Sequence, residues 1–147
     1  MSPLTHKQLI ENTVEFVKSQ LEGAEGGHDW WHIYRVWNNA KHIAQTEQVD
    51  QTVVELGALL HDIADSKFHN GDEEIGPATA RKFLEAQNTE LSVIEHVENI
   101  IRHISFKGGN HTQSFKSLEL DVVQDADRLD AIGEVEVGEN KIPYEGT

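Results

Sequence analysis

Apolar residues recur every third or fourth position through most of this chain, the period of an α-helix and not of a strand. Ile10, Val14, Val17 and Leu21 form one such face, behind a Thr5-x-x-Gln8 capping box and ahead of Gly23, Gly26 and Gly27. Ile33, Val36, Trp37, Ala40, Ile43 and Ala44 stripe a second helix from about Trp30 to Gln45. The run Leu56-Gly57-Ala58-Leu59-Leu60 is apolar nearly all round, so the third helix, about Val53 to Ala64, belongs at the centre. Pro77 suits the first position of a fourth helix, with Ala80, Phe83, Leu84 and Gln87 inward. Ser92-x-x-Glu95 reads as a capping box for a fifth, with Val93, Val97, Ile100, Ile101 and Ile104 inward. A sixth covers Leu118 to Ile132 and stops at Gly133. Asp65 to Gly76 and Ser105 to Ser117 read as loops. No β-branched run makes a sheet, so the expected fold is all-α, a compact bundle of about six helices.

The length of 147 residues suits one domain with a real core. The formal charge of −14 argues against a duplex nucleic-acid or anionic-membrane partner, because nothing neutralises phosphate in bulk. The absence of cysteine excludes disulfides, thiolate catalysis and Cys-type metal sites, and is compatible with a cytoplasmic location. No apolar run approaches a membrane span of about 20 residues, and Met1 to Ile10 lacks the order of a signal peptide. Nothing in the sequence fixes the oligomeric state, a homodimer included.

Nine histidines are many for this length, and several stand beside Asp or at helical spacing. His61-Asp62 directly follows Leu59-Leu60 on the helix expected to be buried. A carboxylate there must be paired, hydrogen-bonded or metal-bound, so a bond to backbone or to an arginine competes with a bond to an ion. His28 and His32 stand four apart, a spacing shared with zinc peptidases. Asp29 replaces the glutamate base of that pattern and looks like a helix cap, which favours His32 as ligand and His28 as a pocket residue. Asp127 lies in an apolar stretch with Val122, Val123, Ala126 and Leu129, whereas Asp125 and Asp130 are assigned to other faces. Taken singly, each has an ordinary structural explanation. Taken together, two imidazoles and two carboxylates directed inward from different helices suit a divalent first-row metal.

Four local strings carry a resemblance: His28-Asp-x-x-His32-x-x-Arg35-Val36, Leu60-His-Asp-Ile-x-Asp65-x-Lys67-Phe, Ile100-Ile-x-His103-x-Ser105-Phe-Lys107, and Gln124-Asp-Ala-Asp127-Arg-Leu-Asp-Ala-Ile-Gly133. In order and spacing the chain resembles the HD-domain superfamily of metal-dependent phosphohydrolases, in the small bacterial branch that includes nucleotide pyrophosphohydrolases. The resemblance covers roughly Thr5 to Gly133 and implies an HD domain over residues 1–133. Residues 134–147 depart from the family pattern and are expected to form a short irregular or extended tail. It implies that His32, His61, Asp62 and Asp127 hold one divalent ion, with hydroxide generated there attacking phosphorus of a small phosphorylated substrate, a nucleoside triphosphate first. A phosphomonoesterase, a cyclic-nucleotide diesterase and a non-catalytic metal- or partner-binding domain are the alternatives. Two imidazoles and two carboxylates suit Mn, Fe, Co or Ni without selecting among them, and Mg less well; Mn is the metal expected in activity assays. Asp65, one turn after Asp62, is the candidate to orient or deprotonate the water. Lys67, His103 and Lys107 are the candidates to balance phosphate charge. Arg35 and Arg128 read as ion-pair partners of carboxylates ahead of phosphate ligands.

Overall fold

In the computed structural model the described residues are 5–22, 30–63, 75–105 and 116–140, with backbone alone for Glu22, Ser105 and 131–140. The helical period is realised as α1 (His6–Glu22), α2 (Trp30–Ala44), α3 (Gln51–Leu60), α4 (Ile75–Ala86), α5 (Leu91–Ser105) and α6 (Leu118–Asn140). No strand occurs among the described residues.

The capping box at the start of α1 forms in both directions. Gln8 N donates to Thr5 Oγ1 at 3.1 Å, and Thr5 N donates to Gln8 Oε1 at 3.3 Å. Asp50 caps α3 by accepting from the backbone of Thr52 and Val53 at 3.0 and 3.3 Å.

Four boundaries differ from the sequence expectation. Helix α3 ends at Leu60, so His61 is its C-cap and not an interior residue. Helix α4 starts at Ile75, which puts Pro77 within the first turn, where a missing N–H costs no intrahelical bond. Helix α5 is initiated by the Glu90 carbonyl, which accepts from Val93 N and Ile94 N, so Ser92 is not its cap. Helix α6 runs on through Gly133 to Asn140 instead of stopping. Glycine ends a helix only where the chain needs a left-handed turn, and here Glu134, Glu136 and Glu139 favour continuation. The expected irregular tail is therefore helical as far as residue 140, and residues 141–147 lie outside the described set.

Helix α3 is the hub. All its residues from Val53 to Leu60 are buried, and it packs on α1, α2, α5 and α6. At Gly57 the three innermost helices close up. A methyl group added there would stand 3.3 Å from Ile100 Cγ2 of α5 and 3.4 Å from Val123 Cγ2 of α6. Helix α4 lies on α5 and is tied to α1 by the stacked rings of Phe16 and Phe83, 4.2 Å apart. Helices α2 and α6 share a long interface, which sets the next level of structure.

Candidate metal centre

Three helices bring one side chain each to a common point. Helix α3 stops at Leu60, and His61 turns its ring back so that Nδ1–H donates to the Ala58 carbonyl at 2.8 Å. A carbonyl only accepts, so Nδ1 carries a proton and, in the neutral ring, Nε2 keeps its lone pair. That Nε2 lies 3.5 Å from Asp127 Oδ1 on α6. From α2, His32 Nε2 lies 3.6 Å from the same oxygen. The two rings stand 5.9 Å apart at 62°. A ligand atom from each of His32, His61 and Asp127 lies within 4.8 Å of the others.

Separations of 3.5 to 3.6 Å are too long for good hydrogen bonds. They suit donors around a cation, since ligand atoms about 2.1 Å from an ion sit roughly 3.0 to 3.5 Å from one another. Both imidazoles also have Nδ1 engaged elsewhere, leaving Nε2 as the donor atom. The residues therefore fit a divalent ion of the N/O-binding class.

The second engagement is on α6. Asp130 Oδ2 accepts from His32 Nδ1 at 2.7 Å, and Asp130 Oδ1 accepts from Arg35 Nε. The Asp130 side chain is only 4% exposed, so its charge depends on these two donors. Asp130 therefore faces the centre beside Asp127, which corrects the expectation that it lies on another face of the helix. Asp127 and Asp130 are three residues apart, as are His32 and Arg35, so each pair shares one side of its helix. That double spacing was the signal. Arg35 does pair with a carboxylate, and Arg128 makes an exposed contact of 3.8 Å with Asp125.

Burial lowers the affinity of the His61 imidazole for a proton, but the Asp127 carboxylate and the charge of Asp62 outweigh it, so the group titrates above its ordinary value. Asp62 is half-buried and close enough to act on His61 electrostatically, yet it lies outside the group in which the other three converge. His103 lies near the end of α5, half-buried, with Nδ1 enclosed and without a hydrogen-bond partner among the described residues. His28, Asp29, Asp65, Lys67 and Lys107 lie outside the described residues.

The HD domain family matches residues 30–132, the span that holds all three converging side chains. This chain is a member of the HD-domain family. The uncharacterized protein YpgQ of Bacillus subtilis (strain 168) is 36% identical over 128 residues, which is 82% of this chain and 58% of that protein. The chain thus spans a little over half the length of this curated relative. Among solved structures, an HD-superfamily hydrolase from Bacillus thuringiensis matches with a TM-score of 0.72 at 35% identity, over 95% of this chain and 73% of that one. The structure of Bacillus subtilis YpgQ in complex with ADP matches with a TM-score of 0.70 at 28% identity, over 95% of this chain and 71% of that one. Among the described residues of this HD domain, no helix is long and apolar enough to cross a membrane.

Proposed function

We propose that this HD domain is a metal-dependent phosphohydrolase whose substrate is a nucleoside triphosphate, cleaved with release of pyrophosphate. The single observation that carries the reading is the convergence of His32 Nε2 and His61 Nε2 on Asp127 Oδ1 from three separate helices. Membership of a family with hydrolase relatives supports the chemistry, and a relative held in complex with ADP supports a nucleotide.

His32, His61 and Asp127 would hold the ion, and Asp62, adjacent to His61 at the helix end, is the proposed fourth ligand. When bound, a divalent ion supplies Lewis acidity for a phosphate oxygen and makes water acidic enough to ionise near neutral pH. The chain's own residues do the rest. Asp130 and Ala58 hold the two imidazoles with Nε2 toward the centre. Asp65 is proposed to orient the attacking water, and Lys67, His103 and Lys107 to offset phosphate charge in the transition state. We take Mn as the working metal, with Fe, Co, Ni or Mg as the competitors, and the cytoplasm as the location.

The test is hydrolysis of nucleoside triphosphates by the purified chain with Mn, with pyrophosphate and orthophosphate measured separately. Pyrophosphate release that is lost in His61→Ala and Asp127→Ala supports the reading. Orthophosphate released from nucleoside monophosphates, with triphosphates left intact, selects a phosphomonoesterase. Metal binding without turnover of any phosphoester selects a non-catalytic binding domain.

A further inference from the structure

We propose that Asp130 is the positioning residue of the metal centre, setting which nitrogen of His32 carries the proton and so whether His32 can bind an ion at all. The proposal rests on the metal reading above, but not on the substrate or the reaction.

Two donors converge on the buried Asp130 carboxylate, His32 Nδ1–H at Oδ2 and Arg35 Nε–H at Oδ1. A second Arg35 nitrogen, Nη2, reaches Oδ2 at 3.4 Å. A carboxylate can accept from both sides at once, because each oxygen is an acceptor. With Nδ1 fixed as the donor, Nε2 of His32 keeps its lone pair directed at the place where Asp127 and His61 meet. Partners of this kind fix the tautomer and raise the basicity of a ligating histidine. Arg35 has the companion task, since its guanidinium fixes the orientation of the Asp130 carboxylate. His32 and Arg35 come from successive turns of α2, Asp127 and Asp130 from successive turns of α6. The centre is thus built from two facing pairs, one residue of each nearer the ion and one holding the other helix's partner.

Asparagine at 130 has the same shape but only one oxygen. Arg35, always charged, keeps that oxygen, and the amide NH2 then faces His32 Nδ1. The imidazole must accept there and carry its proton on Nε2, where it blocks the ion. Asp130→Asn should therefore raise the Mn dissociation constant about 10- to 100-fold. It should also switch His32 to the Nε2–H tautomer, read from the ring nitrogen shifts of the metal-free chain by NMR. Removing the competitor should reverse this: Arg35→Met in the Asp130→Asn background returns the oxygen to His32 and restores part of the affinity. If Asp130 acts through His32, then His32→Ala combined with Asp130→Asn binds Mn no more weakly than His32→Ala alone.

Affinities come from titration calorimetry with Mn alone, and circular dichroism checks that each variant is folded. Should Asp130→Asn fail to fold, Asp130→Ala is measured against His32→Ala in the same cycle. Within-twofold wild-type affinity in Asp130→Asn, an unchanged tautomer, or losses that add in the double variant would each overturn the proposal. Because none of these readouts involves turnover, failure of the hydrolase reading would leave it standing, and its own failure would leave that reading intact.

Discussion

Trp37 donates its indole N–H to Glu55 at 2.9 Å, across the α2–α3 interface. The same carboxylate accepts from His6 Nε2 at 3.1 Å, with Gln51 Nε2 at the outer limit of 3.5 Å, so a buried carboxylate gathers α1, α2 and α3. Removing the acceptor leaves the partly buried indole N–H unmatched and the pocket between the three helices unfilled. Glu55→Ala should cost about 2–4 kcal/mol, a loss of roughly 6–12 °C in Tm for a domain of this size. The Mn affinity of the folded fraction should stay unchanged, because Glu55 sits midway along the hub helix and its hydrogen bonds go to Trp37, His6 and Gln51, away from the converging His32, His61 and Asp127. Thermal melts with and without Mn separate the two effects.

Binding only to the folded state raises stability by mass action, by about 2.7 kcal/mol at a hundred times the dissociation constant. The Tm should therefore climb several degrees with Mn and fall back on chelation. His61→Ala and Asp127→Ala should abolish the shift and lower kcat/KM at least about 100-fold. A full Tm shift in Asp127→Ala would remove Asp127 from the ligand set.

The His61 imidazole titrates above its usual value because Asp127 and Asp62 outweigh its burial. A raised value in the folded state means that the protonated ring favours folding. In the metal-free chain this contribution is complete below the unfolded value of about 6.5 and is lost as pH rises through the higher folded value. The ion competes with that proton, so Mn affinity should fall as pH drops through the same window. Chemical denaturation and calorimetry across pH 5 to 9 should show the two trends running in opposite senses. His61→Gln should flatten the first.

His103 carries an enclosed nitrogen that meets no hydrogen-bond partner among the described residues, an arrangement that costs stability. His103→Leu should raise Tm and lower kcat/KM about 10- to 1,000-fold, with Mn affinity kept. Turnover at the wild-type rate would take His103 out of the reaction.

At Gly57 two effects oppose. Alanine improves helix propensity by up to about 1 kcal/mol but brings its methyl to 3.3 Å from Ile100 Cγ2. Gly57→Ala should fall within about 1 kcal/mol of wild type, and Gly57→Leu should lose about 1–3 kcal/mol, because the longer side chain must displace Ile100 and Val123. Urea titrations give both values.

The fold was legible because each helix carries one continuous apolar stripe, and the hub helix carries apolar residues all round. The ends were less so. Whether Gly133 halts a helix depends on the conformation the next residues take, and Ser92 yields to the Glu90 carbonyl by a choice of phase that spacing cannot decide. His32, His61 and Asp127 were visible as polar groups in apolar surroundings. Asp130 was not, because its value lies in facing His32 and Arg35, 98 and 95 positions away in sequence, and only the α2–α6 register brings them together.

The donors that meet at this centre are spread from residue 32 to residue 127, and the last arrives on the final helix. An ion can gain all three only after α6 has docked, so it has little to hold during the early stages of folding. Its grip is released on the way out instead. Metal should slow escape from the native state far more than it speeds arrival there, making it a brake on unfolding and not a template for assembly.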